Sequence, residues 1–150
     1  MSTPLDQLFE KTRSEGRAAL IAYIIAGFPN IKDCHRVIEA FIAGGVDAIE
    51  IGFPYSDPVM DGPTIQAAAV TALDNGTDAE DVLDALEVAT KAGVPTVVMT
   101  YWNPIEKYGV ERFAQAISAR GGSGVIHPDI TIEESSQWLT AAFGAAINPI

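Results

Sequence analysis

The sequence is poor in cysteine, in basic side chains and in long apolar runs. Its one cysteine, Cys34, excludes a disulfide framework, and no group of Cys and His residues has the spacing of metal ligands. Only 9 Lys and Arg stand against 20 Asp and Glu, and the formal net charge of -11 disfavours nucleic acid or an anionic membrane as partner. The start lacks the apolar run of a signal peptide, and no apolar segment reaches the ~18 residues of a membrane span. We therefore expect a cytoplasmic protein that binds no metal, nucleic acid or membrane.

Hydrophobic residues make up 48% of the chain, enough for a packed core, and a length of 150 residues predicts one domain over 1–150. Apolar segments of strand length alternate with segments whose apolar residues recur at helical spacing. Strands are predicted at 18–26, 47–51, 95–100 and 124–126. Helices are predicted from about residue 4 to before 16, and at 31–43, 63–73, 77–91, 110–119 and 133–142, with one helical turn at 104–108. This alternation predicts four parallel βα units in an α/β fold.

The segment VDAIEIGFPYSDPVMDGPTIQ, at residues 46–66, carries most of the polar side chains that could support chemistry. Glu50 lies in an otherwise apolar strand, where a carboxylate needs either a function or a buried cation beside it. The loop that follows is rich in Gly and Pro and contains Ser56, Asp57 and Asp61. Each aspartate is either a functional acid or an ordinary turn residue. Because α/β folds hold their active sites at the carboxyl ends of parallel strands, this loop is the first candidate site.

Three further motifs accompany EIGFPYSDPVMDGPTIQ at 50–66: AGFP at 26–29, MTYWNPIEKYG at 99–109 and GVIHPDITIEE at 124–134. Together they resemble the tryptophan synthase α subunit family over residues 1 to about 140. The resemblance implies a (β/α)8 TIM-barrel type of fold, of which about the first four βα units are present as a half-barrel. It also implies a lyase of tryptophan biosynthesis that cleaves indole-3-glycerol phosphate, by a retro-aldol reaction, into indole and glyceraldehyde 3-phosphate.

The same resemblance implies roles for individual residues. Glu50 would act as general acid and base on indole C3 and the glycerol hydroxyl, and Asp61 would accept a hydrogen bond from the indole N–H. The remaining carried-over residues are Tyr23, Met99, Tyr101 and Ile126 in the substrate pocket, and Pro54, Asp57 and Asn103 facing the β subunit of a heterotetramer. Tyr23 could instead be plain core and Asn103 a helix start. No cofactor is expected in this chain, because pyridoxal phosphate would belong to the β subunit.

The chain has 150 residues, whereas a barrel of this type has ~250 and builds its phosphate site from late strands. A half-barrel leaves two strand edges and one sheet face uncovered, so self-association is possible. Residues 141–150, AAFGAAINPI, are expected to form an atypical tail. The alternative to the lyase is a catalytically inactive fragment that only binds the β subunit or self-associates.

Overall fold

A five-stranded parallel sheet, with strands in the order β1-β2-β3-β4-β5, forms the centre of the computed structural model, which describes residues 2–150. The strands are β1 Ile21–Ile25, β2 Ala48–Gly52, β3 Thr96–Met99, β4 Gly124–Ile126 and β5 Asn148–Pro149. The helices are α1 Pro4–Ser14, α2 Ile31–Ala43, α3 Pro63–Asp74, α4 Ala79–Lys91, α5 Trp102–Tyr108, α6 Val110–Ala119 and α7 Ser136–Gly144. Within residues 2–150, no helix combines the length and the apolar character needed to cross a membrane.

The two faces of the sheet are packed differently. The outer face, which includes Ile51 and Val98, is fully buried in the main core together with α2, α4, α6 and α7. On the inner face, Leu5 and Leu8 of α1 pack against Ala48 and Val97, and this cluster is much smaller. The inner face, which the sequence predicted to be uncovered, is therefore partly covered by α1.

Helix starts follow from short local patterns. Thr3 caps α1 and forms a reciprocal capping box with Asp6, and Asp78 does the same for α4 with Asp81. Pro63 occupies the first turn of α3, where a missing N–H costs nothing. The starts of α1 and α3 agree with the predictions at residues 4 and 63, and α4 begins two residues after the predicted 77, with Asp78 as its cap. Local capping chemistry therefore locates these starts closely.

The elements whose bounds differ from the sequence-based expectation include α5, α7 and β1. The helical turn predicted at 104–108 is a seven-residue helix from Trp102 to Tyr108. The last helix begins at Ser136 rather than 133, because the backbone N–H groups of Glu134 and Ser135 donate to carbonyls three residues earlier and form turns. The first strand begins at Ile21 rather than 18, since the N–H of Leu20 donates to the carboxylate of Asp47, at 2.8 Å.

Residues 141–150, expected as an atypical tail, are folded. They complete α7 and add β5, which lies parallel to β4 through N–H donation from Asn148 to Ser123 and from Ile150 to Val125, both at 2.9 Å. A Cβ on Gly124 would lie 2.6 Å from the carbonyl oxygen of Asn148, so the close approach of β5 requires glycine at that position.

Candidate active site

Glu50 lies in the middle of β2 and points to the inner face of the sheet, where it is half-buried. Glu50 lines a cavity of about 220 Å³ whose other walls are apolar: Leu5, Phe9, Ile21, Ala48, Val97, Ile126 and Ile150. Within residues 2–150 no cation lies in ion-pair range of it. Burial therefore raises the pKa of Glu50, which favours a carboxyl group that can hold a proton and give it up.

Asp61 reaches the same end of the sheet from the loop between β2 and α3. One of its carboxylate oxygens, Oδ2, accepts a hydrogen bond from the hydroxyl of Tyr101 at 3.0 Å. Its backbone carbonyl accepts from the side-chain amide of Gln66 at 2.9 Å. Two contacts thus position Asp61: one with Gln66 of the helix that follows, α3, and one with Tyr101 of the segment after the neighbouring strand β3.

Tyr23 lies beside Glu50 on the neighbouring strand. It pairs with Glu50 across the parallel β1–β2 ladder, so both side chains point to the inner face. Burial, and then the nearby carboxylates of Asp61 and Glu50, raise the pKa of the Tyr23 hydroxyl. A Cβ on Gly52 would lie 2.3 Å from that hydroxyl, so glycine at the end of β2 leaves the space that Tyr23 occupies. Both carboxylates therefore contribute to the raised pKa of this one phenol, after burial.

The other residues predicted for the substrate pocket divide into two groups. Met99 and Ile126 pair across the β3–β4 ladder and are half-buried on the inner face, beside the row that contains Glu50. Tyr101 is only 3% exposed, and its hydroxyl is hydrogen-bonded to the loop that carries Asp61. In this structure Tyr101 holds the loop, whereas Met99 and Ile126 face the open side of the sheet.

The three residues predicted to face a partner lie on the loop side. Pro54 and Asn103 line one cavity of about 390 Å³, together with Tyr55 and Lys107 among others. Asp57 is exposed and accepts a hydrogen bond from the hydroxyl of Ser56 at 2.6 Å. This cavity shares no lining residue with the one that contains Glu50.

Sequence reasoning missed several contacts around these loops. The ring of Tyr55 packs on that of Tyr101, with centroids 5.1 Å apart. Asp129 accepts from the backbone N–H of Trp102, at 3.0 and 3.1 Å, and ties the loop after β4 to the start of α5. The only available signals were the aromatic residues in MTYW and an acid three residues after a strand end, which are too common to predict such contacts.

His127, directly after β4, is packed edge-on between Trp102 and Trp138. Burial lowers its pKa to about 4, even though Asp129 and the backbone of Thr100 act in the opposite direction. It is neutral near pH 7, and its neighbours are aromatic side chains rather than the two acids. Within residues 2–150, no cluster of three or more His, Cys, Asp or Glu could hold a metal ion.

Comparison with known proteins shows to which family this chain belongs. The sequence profile of the tryptophan synthase alpha chain family matches residues 9–150. The chain belongs to the tryptophan synthase alpha chain family. The tryptophan synthase alpha chain of Thermobifida fusca is 51% identical over 148 residues, which are 99% of this chain and 55% of that relative.

Solved structures of the tryptophan synthase family agree with the fold. A crystal structure of tryptophan synthase from M. tuberculosis in an open form superposes with a TM-score of 0.97 at 43% identity, over 100% of this chain and 60% of that one. The alpha subunit from Legionella pneumophila gives a TM-score of 0.94 at 30% identity, over 99% and 58%.

The fold class predicted from the sequence is confirmed: the chain is the first part of a TIM-barrel type of α/β fold, with four βα units and a fifth strand. It spans about half the length of the curated tryptophan synthase alpha chains it matches. The family match continues through residues 141–150, the segment for which the sequence suggested no resemblance.

Proposed function

We propose that this chain carries the acid–base pair of a retro-aldol lyase that cleaves indole-3-glycerol phosphate into indole and glyceraldehyde 3-phosphate. The observation that carries the proposal is the placement of Glu50 in β2 and of Asp61 on the loop that follows β2, where the hydroxyl of Tyr101 binds the Asp61 carboxylate. Family membership supplies the substrate, and the geometry supports two acids with different roles.

Glu50 is the general acid and base. The reaction adds a proton to indole C3, removes one from the hydroxyl on the adjoining carbon, and breaks the bond between these two carbons. The electron pair of that bond returns to the ring as indole leaves, and the oxygen becomes the aldehyde carbonyl. A half-buried carboxyl group with a raised pKa is suited to both proton transfers.

Asp61 accepts a hydrogen bond from the ring N–H and stabilises the positive charge that develops on the ring when C3 is protonated. Only Oδ2 of Asp61 has a hydrogen-bond partner within residues 2–150, so Oδ1 remains able to accept this bond. The proposed chemistry consists of proton transfers and charge stabilisation by side chains, and it needs no cofactor from this chain.

Indole release from indole-3-glycerol phosphate tests the proposal directly. The chain would be assayed alone and with a tryptophan synthase beta chain added, beside Glu50→Gln, Asp61→Asn and the exposed control Glu133→Gln. We expect Glu50→Gln to lower turnover by roughly 10²–10⁴-fold and Asp61→Asn by roughly 10²-fold, with the control unchanged. Equal activity in all four proteins, or no indole release from the wild-type chain under either condition, would overturn the proposal.

A second candidate function is binding without catalysis. Pro54 and Asn103 line a cavity that shares no lining residue with the Glu50 cavity, and Asp57 is exposed on the same loop, so this surface does not require the acids. Capture of a beta chain that is lost in Asn103→Ala but kept in Glu50→Gln, with no indole released, would favour this function over the lyase.

A further inference from the structure

The hydroxyl of Tyr101 lies between two groups of one loop. It accepts a hydrogen bond from the backbone N–H of Met60 at 2.9 Å and donates its proton to Oδ2 of Asp61 at 3.0 Å. The directions are fixed, because the amide can only donate and the ionised carboxylate can only accept. One phenol therefore binds both the backbone and the side chain of neighbouring residues.

The loop has little else to hold its outer end. Val59 and Met60 are 79% and 63% exposed, so apolar packing contributes little there. Two internal backbone bonds, from Val59 to Asp57 and from Asp61 to Pro58, shape the turn without attaching it to the sheet. Gln66 attaches the loop only to the helix that directly follows it. Tyr101 belongs to the segment after β3, so its contact joins the loop to a different βα unit.

The Tyr101 side chain is buried and packed, which makes it an effective anchor. Tyr101 is 3% exposed and directly precedes α5, and the ring of Tyr55 from the same loop packs on its ring at 5.1 Å between centroids. The loop therefore contacts both the face and the hydroxyl of one buried aromatic side chain. Fixing the hydroxyl in this way fixes the carboxylate it binds.

We propose that Tyr101 is a positioning residue, whose hydroxyl holds the Asp61 loop closed and leaves one carboxylate oxygen of Asp61 for a single N–H donor. This inference rests on the proposed function for the identity of that donor, a ring N–H of the substrate. Tyr101 acts through Asp61 and not on the reacting atoms. Removal of the hydroxyl should loosen the loop while the ring keeps its packing.

Hydrogen exchange at the Met60 amide tests the contact without any assay of activity. Tyr101→Phe keeps the ring and removes the hydroxyl, and Tyr108→Phe is the matched control, since its hydroxyl binds Glu80 at 2.9 Å instead. We expect exchange at Met60, followed by NMR in the 150-residue chain, to be at least roughly tenfold faster in Tyr101→Phe and unchanged in Tyr108→Phe. Equal exchange in wild type and Tyr101→Phe would overturn the inference.

A double-mutant cycle tests whether Tyr101 acts through Asp61. In the indole-release assay we expect Tyr101→Phe to lower kcat with little change in KM, and to cause no further loss in an Asp61→Asn background. Additive losses would show that Tyr101 acts independently of Asp61, which contradicts the positioning role. If the wild-type chain releases no indole, the proposed function fails, while the exchange measurement still decides whether Tyr101 anchors the loop.

Discussion

At the scale of single residues, the molecule tolerates a carboxyl group where an apolar side chain would pack better. Glu50 lies in the middle of β2 between Ile49 and Ile51, both fully buried on the opposite face. A carboxylate that is partly removed from water and lacks a counter-charge destabilises the folded state. The sequence could predict that Glu50 was unusual, but it could not exclude a buried cation beside it. The three-dimensional structure shows no such cation within residues 2–150.

The loss in the free energy of unfolding that Glu50 causes should depend on pH. Its pKa is raised in the folded chain, so the folded state holds this proton more tightly than the unfolded state does. Wild-type stability should therefore fall as the pH rises from the ordinary glutamate value, about 4.3, towards the raised pKa. Glu50→Gln has no ionisable group here, so its free energy of unfolding relative to wild type should increase over this window and then stay constant.

Urea unfolding at about pH 4, 5.5 and 7 would measure this difference. Glu133→Gln is the control, because Glu133 is exposed and its substitution should give the same small difference at each pH. A Glu50→Gln effect that does not change with pH, or that decreases as the pH rises, would contradict a raised pKa at Glu50.

At the scale of helices and strands, the sequence predicted elements well where local chemistry determines them. Helices α2 and α6 and strand β4 have the predicted bounds, because a cap, a glycine or a proline lies close to each end of a clear apolar pattern. Strand β5 was missed, since its two residues are held by partners in β4 that are distant in sequence. The loop contact between Tyr101 and Asp61 was missed for the same reason, because 40 residues separate its two side chains.

Helix α1 shows how a local cap and a distant contact combine. Thr3 accepts from the N–H of Asp6, and Asp6 accepts from the N–H of Thr3, which closes the capping box. The side-chain amide of Asn148 in β5 then donates to both, to Thr3 Oγ1 at 3.1 Å and to Asp6 Oδ1 at 3.0 Å. The cap therefore attaches α1 to the last strand, 145 residues away.

Thr3→Ala should weaken both the helix start and its attachment to β5. Loss of a side-chain cap lowers the free energy of unfolding by ~1 kcal/mol, within a range of roughly 0.5–2 kcal/mol. The decrease for Thr3→Ala should lie in the upper half of this range, because the side-chain amide of Asn148 also loses an acceptor. Ser2→Ala is the control, since Ser2 is exposed and precedes the cap. Urea unfolding of wild type and of the two variants would give the change in the free energy of unfolding for each substitution. Equal stability of the two variants would exclude a structural role for the cap.

At the scale of the whole molecule, the sheet is asymmetric. Strand β1 pairs only with β2 and strand β5 only with β4 within residues 2–150, so each has one edge without a strand beside it. The β1 edge is also apolar: Leu20 is 60% exposed, Ile21 44% and Phe9 of α1 41%. Exposed parallel edges with apolar side chains tend to pair with further strands. The sequence predicted two free edges from the count of βα units, and β1 is one of them. The second edge lies at β5 rather than at the fourth strand, because β5 was not predicted.

The 150-residue chain should therefore self-associate in solution, and the β1 edge should contribute. Size-exclusion chromatography with light scattering should give a mass above 15.9 kDa that rises with concentration. Ile21→Lys places a charge at the edge and should weaken association by roughly tenfold or more. Val70→Lys is the matched control, because Val70 is 53% exposed and lies on α3 rather than on β1. A single 15.9 kDa species at all concentrations, or equal effects of the two lysines, would show that the β1 edge does not drive association.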